Sequence, residues 1–444
     1  MAVLDRISTS IRAWAVAAAL LAVPASQALA EEIMAEEVVA EEVLESSEEQ
    51  PPELEQGDAI EDELRALEEE VIGAPAWPEA SDASVAPTGD APRPTGPQAS
   101  QSMNPDISLI ADFALAGFVG DPALVGGHDP SAVGFNLQGL ELAISASIDP
   151  YFRFDSAIVL GLFGLEIEEA FGTTLGLGWG FQARAGQFLT AFGRANPTHL
   201  HQWNFVTQPL VVGKFFGGEG MRGLGSELSQ LLPLPWYATW RVSVQNIAGG
   251  ATGRSFLGAD ADIETLLDLT VAGRLEQFFE LGSHIDLLWG LSAANGANSS
   301  GRANRTDIFG TDLLLKWHLE GGGGHREIGW QSELLVRRRQ VPADVLQDFG
   351  GYSELYWHWS PEWQIATRYE FVSGVANDYL DPDWDAARHR GTASLSYYPS
   401  HFSRLRLEYG ADFLGYREAP ADRLVHMVFL QLELVAGAHG AHTY

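Results

Sequence analysis

The chain has 444 residues, no cysteine, and a formal net charge of −34 although only 19% of its residues are charged. Disulfides and thiolate metal sites are excluded, and the acidity argues against nucleic acid as a partner, because phosphate contacts need clustered cations. Abundant glycine (47) and aromatics (13 Trp, 11 Tyr, 22 Phe) favour strands, tight turns and rings of interfacial aromatics.

Residues 1–30 read as a secretory signal. Arg6 and Arg12 precede an apolar core at 13–24, and Ala28-Leu29-Ala30 fits a cleavage site before Glu31. No later run of 18 apolar residues exists, so no helix is expected to span a membrane. Residues 31–103 carry −19 of the net charge, which leaves −16 on 104–444 once the +1 of the signal is counted. A tract that repels itself cannot bury a core, so a disordered, acidic periplasmic leader is expected. Within it, Ile60, Leu64, Leu67 and Val71 follow 4-3-4 spacing and predict at most a short helix over 59–72. The Pro-rich stretch 74–98 reads as a linker.

From Asn104 onward the pattern alternates. Ile107, Leu109, Ala111, Phe113 and Leu115 share one side, with Ser108 and Asp112 on the other. The same period of two recurs through Leu140–Ile148, Trp236–Val244, Leu267–Val271, Ile285–Leu291, Phe309–Leu319, Trp330–Val336, Leu355–Trp359, Trp363–Phe371 and Leu405–Phe413. It ends in Leu424–Ala436, where Val428, Leu430, Leu432 and Leu434 alternate with Gln431 and Glu433. One greasy and one charged face per strand is the dyad pattern of a barrel with lipid outside and a polar lumen inside. Short connections are expected near 149–150, 176–178, 233–235, 276–280, 321–324, 360–361 and 399–400. Longer ones are expected near 119–133, 189–221, 247–263, 294–305, 340–350, 374–387 and 416–420, with a tight one at 161–164. The count predicts an all-β, transmembrane, antiparallel up-and-down barrel of about 16 strands (14 or 18 if a hairpin is miscounted), with both termini in the periplasm.

The longest connection, 189–221, is the candidate constriction. It holds Arg194, His199, His201, Lys214 and Glu219, with Arg222 just beyond. His199 and His201 lie two apart; in an extended segment they share a face and could take one zinc ion. The expected lumen charges are Glu141, Arg153, Glu166, Glu168, Arg184, Arg241, Glu333, Arg368, Glu370, Arg404, Arg406 and Glu408. They read either as rings that select ions or as paired charges that keep the lumen wet. The run Arg337-Arg338-Arg339 reads as solvated, or as a contact for lipopolysaccharide phosphate. No nucleophile elbow, P-loop, HExxH or dinucleotide motif occurs, so no enzyme is expected.

The segments NPDISLIADF (104–113), GFNLQGLELAISASIDPYFRFD (134–155), LEIEEAFGTTLGLGWGFQARAGQFLTAFGRANPTH (165–199) and FFGGEGMRGLGSELSQLLPLPW (215–236) resemble an outer-membrane family related to phosphate-selective porins, often labelled zinc-regulated TonB-dependent outer-membrane receptors. The resemblance implies a 16-stranded or similar barrel for small polar solutes or ions, with a homotrimer as one assembly. Two features depart from that pattern. TonB-dependent receptors carry a folded plug inside a wider barrel, for which residues 31–103 lack the composition. Phosphate-selective porins rely on basic ladders, whereas residues 104–444 sum to −16. The expectation is therefore a Gram-negative outer-membrane porin that passes small polar solutes or ions by diffusion and leans toward cations. Outer-membrane lipid, lipopolysaccharide and the barrel-assembly machinery are its expected partners. The alternatives are a zinc-linked metal uptake receptor or channel, and a structural barrel with a closed pore.

Overall fold

The computed structural model describes residues 105–162, 164–257, 263–319, 326–375, 378, 381 and 384–437. The expected signal, the acidic leader with its short helix and the last seven residues lie outside the described residues.

Sixteen strands follow one another around a closed antiparallel barrel, each paired with its sequence neighbours. They are β1 (Asp106–Val119), β2 (Gly134–Ser147), β3 (Phe152–Gly161), β4 (Gly164–Thr174), β5 (Phe181–Leu189), β6 (Arg222–Leu231), β7 (Tyr237–Asn246) and β8 (Thr270–Glu280). Then come β9 (Ile285–Asn298), β10 (Gly301–His318), β11 (Glu327–Val341), β12 (Asp344–Ser360), β13 (Trp363–Val372), β14 (Arg388–Ser400), β15 (Ser403–Leu414) and β16 (Leu424–Gly437). Seven connections lie at the end that holds both strand termini, the turn end. Eight lie at the other, the loop end; they are named L1 to L8 in chain order. L1 (120–133), L3 (190–221), L4 (247–269), L7 (373–387) and L8 (415–423) are the long ones.

The closing strand behaves as its alternation predicts. β16 pairs with β1 in the register Leu109↔Ala436, Ala111↔Leu434, Phe113↔Leu432 and Leu115↔Leu430, so the apolar rows meet on the outer face. Asp112↔Glu433 puts the polar rows inside. Closure removes the free edges that an open sheet would expose to lipid. Aromatics gather on the outer face near both ends: Trp357, Trp359, Trp363 and Tyr397 form a contiguous row toward the turns, and Phe349, Phe371, His389 and Phe413 cluster toward the loops. Such belts sit where a bilayer meets water.

Four expected boundaries move. Residues 294–305 and 340–350 are not loops: β9 to β12 run through them to two-residue hairpins. Strands of 14, 18, 15 and 17 residues overshoot the 9–11 that a bilayer needs, and beyond the hydrocarbon a strand requires no apolar face. Residues 276–280 are not a turn, because Phe279↔Leu287 and Glu280↔Asp286 extend the β8–β9 ladder. Residues 266–268 are not strand but a 3-10 turn, closed by a capping box between Thr265 and Asp268 and by an Arg302–Asp268 ion pair of 2.6 Å.

The basic run at 337–339 is also corrected. Arg338 faces out, but Arg337 and Arg339 point inward and are buried. Arg337 pairs with Asp348 (2.6 Å) and Asp381 (2.9 Å), and Arg339 pairs with Asp378 and Asp381. The pleat turns alternate arginines into the barrel, where L7 folds down to meet them.

Candidate functional site

L3 organises the lumen. Asn196 clamps its neck: the side-chain amide donates to the carbonyls of Thr190 and Met221 (both 2.9 Å), and its oxygen accepts from the Met221 N–H (2.6 Å). Beyond the clamp, L3 turns inward as irregular chain, a 3-10 turn at Leu200–Gln202 and a short helix α1 (Leu210–Phe216) whose every residue is buried. Irregular backbone at membrane depth must find partners within the protein. Here the wall supplies them. Glu333 accepts from the Ala195 N–H (3.1 Å), Glu370 from the Leu210 N–H (2.7 Å), and Glu408 from the Val206 N–H and the Thr207 hydroxyl. In the other direction Arg368 donates to the Thr207 carbonyl (2.8 Å) and Arg404 to those of His201 (3.0 Å) and Trp203 (3.1 Å); Arg406 also reaches Trp203. Six expected lumen charges (Glu333, Arg368, Glu370, Arg404, Arg406 and Glu408) are therefore on the inner face and buried against L3, with Arg368 and Arg404 also edging the cavity beneath it.

Lys214 is likewise corrected. Its ammonium is buried between Asp348 (2.8 Å) and the Ser373 carbonyl (2.6 Å), away from any open space. Burial lowers its pKa against the pull of Asp348, and the nearby Arg337 lowers it further. α1 packs its Leu210, Val211, Phe215 and Phe216 into a dry cluster with Phe192, Phe256, Tyr352 and Trp384, so the loop end beside β11–β13 is filled.

Toward the turn end the charges are partly wet. A cavity of about 900 Å³ lies beneath L3 and reaches the turn end at Pro361, Pro399 and Ser400. Arg184, Arg194, Arg241, Arg274, Lys316, Arg368 and Arg404 line it, with Glu276, Glu327, Glu354 and Glu433. Arg184 and Arg241 share Glu227 (3.0 and 3.4 Å). Arg194 donates to Gln331 (2.8 Å) and, among the described residues, forms no ion pair. Arg153 sits at the turn end, half exposed, against Asp155.

Above the cavity, along β2–β6, a histidine–carboxylate cluster separates L3 from the wall. His199 Nδ1 lies 3.1 Å from Glu168 and 4.0 Å from Glu141, and its Nε2 lies 3.0 Å from Glu169. His201 Nδ1 is 3.3 Å from Glu141. His128, from L1, places Nε2 3.3 Å from Glu168 and 3.1 Å from Glu219, while its Nδ1 donates to the Gln138 carbonyl (2.8 Å). Arg222 closes the row against Glu166 and, at 3.8 Å, Glu219. Glu166 is 44% exposed at the loop end.

Both nitrogens of His128 face acceptors, as do both of His199, so each ring is held as imidazolium. Burial works against protonating His128, but Glu168 and Glu219 outweigh it and raise the pKa to about 11. Glu168 and Glu169 likewise hold His199 well above the usual imidazole range, against its burial. Asp129 anchors L1 by accepting from the Gly126 and Gln208 N–H groups (both 2.9 Å); burial raises its pKa, and Arg390 opposes the rise.

Of 199–201 only His199 is extended; Leu200–Gln202 form the 3-10 turn, which carries the chain from the His199–Glu168 contact to the His201 carbonyl that Arg404 holds. The two rings nevertheless stack, 5.8 Å apart and 16° from parallel. Three members of the site escaped the sequence reading. Glu169 is delivered by a β-bulge opposite Ala157/Ile158, which lets Glu168 and Glu169 both reach His199 where strict alternation would send one outward. His128 stood alone in a Gly-Gly-His-Asp-Pro turn, where a Cβ on Gly127 would displace the Glu219 carboxylate. Asn196 gave no signal beyond its place before a proline.

The fold is that of a transmembrane porin-type barrel. Among solved structures, the outer membrane channel DcaP of Acinetobacter baumannii aligns with a TM-score of 0.51 at 11% identity, covering 75% of this chain and 96% of that one. OprB of Pseudomonas putida aligns at 0.50 and 10% identity, covering 75% and 94%. No protein-family model matches the chain. An uncharacterized protein of Aquifex aeolicus (strain VF5) is 30% identical over 394 residues, 78% of this chain and 81% of that protein. The chain belongs to the same family as that protein.

Proposed function

We propose that this protein is an outer-membrane porin that passes small polar solutes or ions by diffusion, along the β2–β6 side of L3. One observation carries the reading: a cavity beneath L3 meets, at His201, a run of partly wet charges that leads through Glu141, His199 and Glu168 to the exposed Glu166. A cation lean follows from the narrow stretch rather than from the net charge. Glu141, Glu166, Glu168, Glu169 and Glu219 face Arg222 and the three histidines there, and the narrowest part of a pore sets selectivity. In this reading the arginine-rich cavity below, of about 900 Å³, weighs less.

Diffusion, rather than energised TonB-dependent uptake, fits a lumen narrowed by the barrel's own loop. Constriction by Arg194, His199, His201, Glu219 and Arg222 belongs to this proposal, as do periplasmic termini, contacts with lipid and lipopolysaccharide, delivery by the barrel-assembly machinery and a homotrimer. The second reading, a closed structural barrel, is favoured by the dry cluster around α1. Planar-bilayer recording of the purified full chain across a KCl gradient decides between them. Stepwise channels with a cation-selective reversal potential support the proposal. An anion-selective potential would overturn the cation lean, and silence from a heat-modifiable, folded barrel would leave the closed one.

A further inference from the structure

The cluster under L3 has the donor geometry of a metal site. Glu141, Glu168 and His199 offer ligand atoms that all lie within 4.8 Å of one another, and so do Glu168, Glu219 and His128. The two groups share Glu168. Their members come from L1, β2, β4 and both arms of L3.

An independent feature points the same way. Each histidine has one nitrogen tied to an acceptor and the other aimed at two carboxylates. His199 donates Nε2–H to Glu169 and turns Nδ1 toward Glu141 and Glu168. His128 donates Nδ1–H to the Gln138 carbonyl and turns Nε2 toward Glu168 and Glu219. A carboxylate or backbone carbonyl behind the imidazole is the usual second layer of a metal-binding histidine, because it fixes the tautomer that presents a lone pair. Here the backing groups are in place on both rings, and the facing groups are anionic oxygens.

We infer that Glu168 is the shared ligand of two overlapping stations for a divalent transition-metal cation, one completed by Glu141 and His199 Nδ1 and the other by His128 Nε2 and Glu219. Mixed imidazole and carboxylate donors suit the zinc, nickel and copper class better than calcium or magnesium, which take oxygen alone. Three protein ligands per station leave a position for water and for exchange. Binding displaces the proton from each facing nitrogen, and the cation takes over its task of neutralising the carboxylates. Occupancy would also tie L1 and L3 to the wall at β2 and β4. Binding itself stands apart from conduction; only the role of the stations as stops along a path rests on the porin reading above.

The test uses Co²⁺ as the probe, added to the purified full chain in detergent and followed by visible absorption. Co²⁺ bound in a low-coordinate site with nitrogen donors absorbs far more strongly than Co²⁺ held loosely by the carboxylates of residues 31–103. We expect saturable, intense bands that Zn²⁺ bleaches by competition. Glu168→Gln should weaken both stations, and His199→Ala and His128→Ala one each, by about tenfold or more in affinity. Glu264→Gln, at the exposed Arg302 pair, serves as a carboxylate control that leaves the bands unchanged. Heat-modifiable migration on gels verifies folding of every variant. Absence of intense bands from a folded barrel, or bands that survive Glu168→Gln together with both histidine changes, would overturn the inference, whatever the bilayer recordings show.

Discussion

The inner face of β2–β8 and that of β11–β16 carry the same kinds of residue, yet they do opposite work. On β11–β16 most charges at the level of L3 are buried, while Glu327, Glu354, Arg368, Arg404 and Glu433 also edge the cavity beneath it. Arg337, Arg390 and Arg406 are 0% exposed, each spent on a carboxylate, an amide or hydroxyl side chain, or a carbonyl of L3. On β2–β8 several charges stay in reach of water, paired loosely or through histidine. The difference comes from L3. It lies against one wall, where glutamates and arginines replace the water that its irregular backbone has lost, and it leaves the other wall wet. Alternating charge therefore does not by itself make a pore lining.

That contrast can be broken from the dry side with the largest effects. Glu370 accepts from Leu210 N–H and pairs with Arg368 (3.2 Å) and Arg390. Glu370→Ala leaves two buried guanidiniums uncompensated and should cost about 3–5 kcal/mol, read as a lower urea midpoint for loss of heat-modifiable migration. Freed of its anchor, L3 should also give larger and noisier current steps. Gly193→Ala comes next. Gly193 has φ +59°, a left-handed conformation that strains any side chain, and a Cβ there would lie 1.6 Å from Glu333 Oε1, so either Glu333 or the loop must shift, at a total cost of about 1–3 kcal/mol. The same urea titration checks it.

From the wet side, Glu168→Gln keeps the shape and removes one charge. It should cost about 1–2 kcal/mol, less than Glu370→Ala, yet move the reversal potential toward anions more than any dry-side change. Arg153→Gln should do least. Arg153 is half exposed and, among the described residues, paired only with Asp155, so stability should change by less than about 1 kcal/mol and current not at all.

The barrel was legible in the sequence because period two has one structural meaning when a greasy row faces lipid. Leu424–Ala436 announced both its faces and its place as the last strand. The hairpins at 299–300 and 342–343 were obscured because polar strand tips outside a bilayer look like loops. The division of the lumen was not legible at all. Glu166 and Glu408 both read as inward acids between apolar neighbours, and only the path of L3 makes one wet and the other a socket for Val206 and Thr207. Glu169 hid behind a bulge, which no count of alternation reveals.

The most direct test exploits the absence of native cysteine. A single cysteine at Glu166, exposed on the wet wall, is compared with one at Thr392, which faces inward on β14 beneath L3 and is 6% exposed. A cationic thiol reagent is added during single-channel recording. The account predicts that Glu166→Cys reacts and its conductance falls stepwise, while Thr392→Cys channels stay unchanged. Block at Thr392→Cys with indifference at Glu166→Cys would contradict it, and would place the path on the wall that L3 is held to seal.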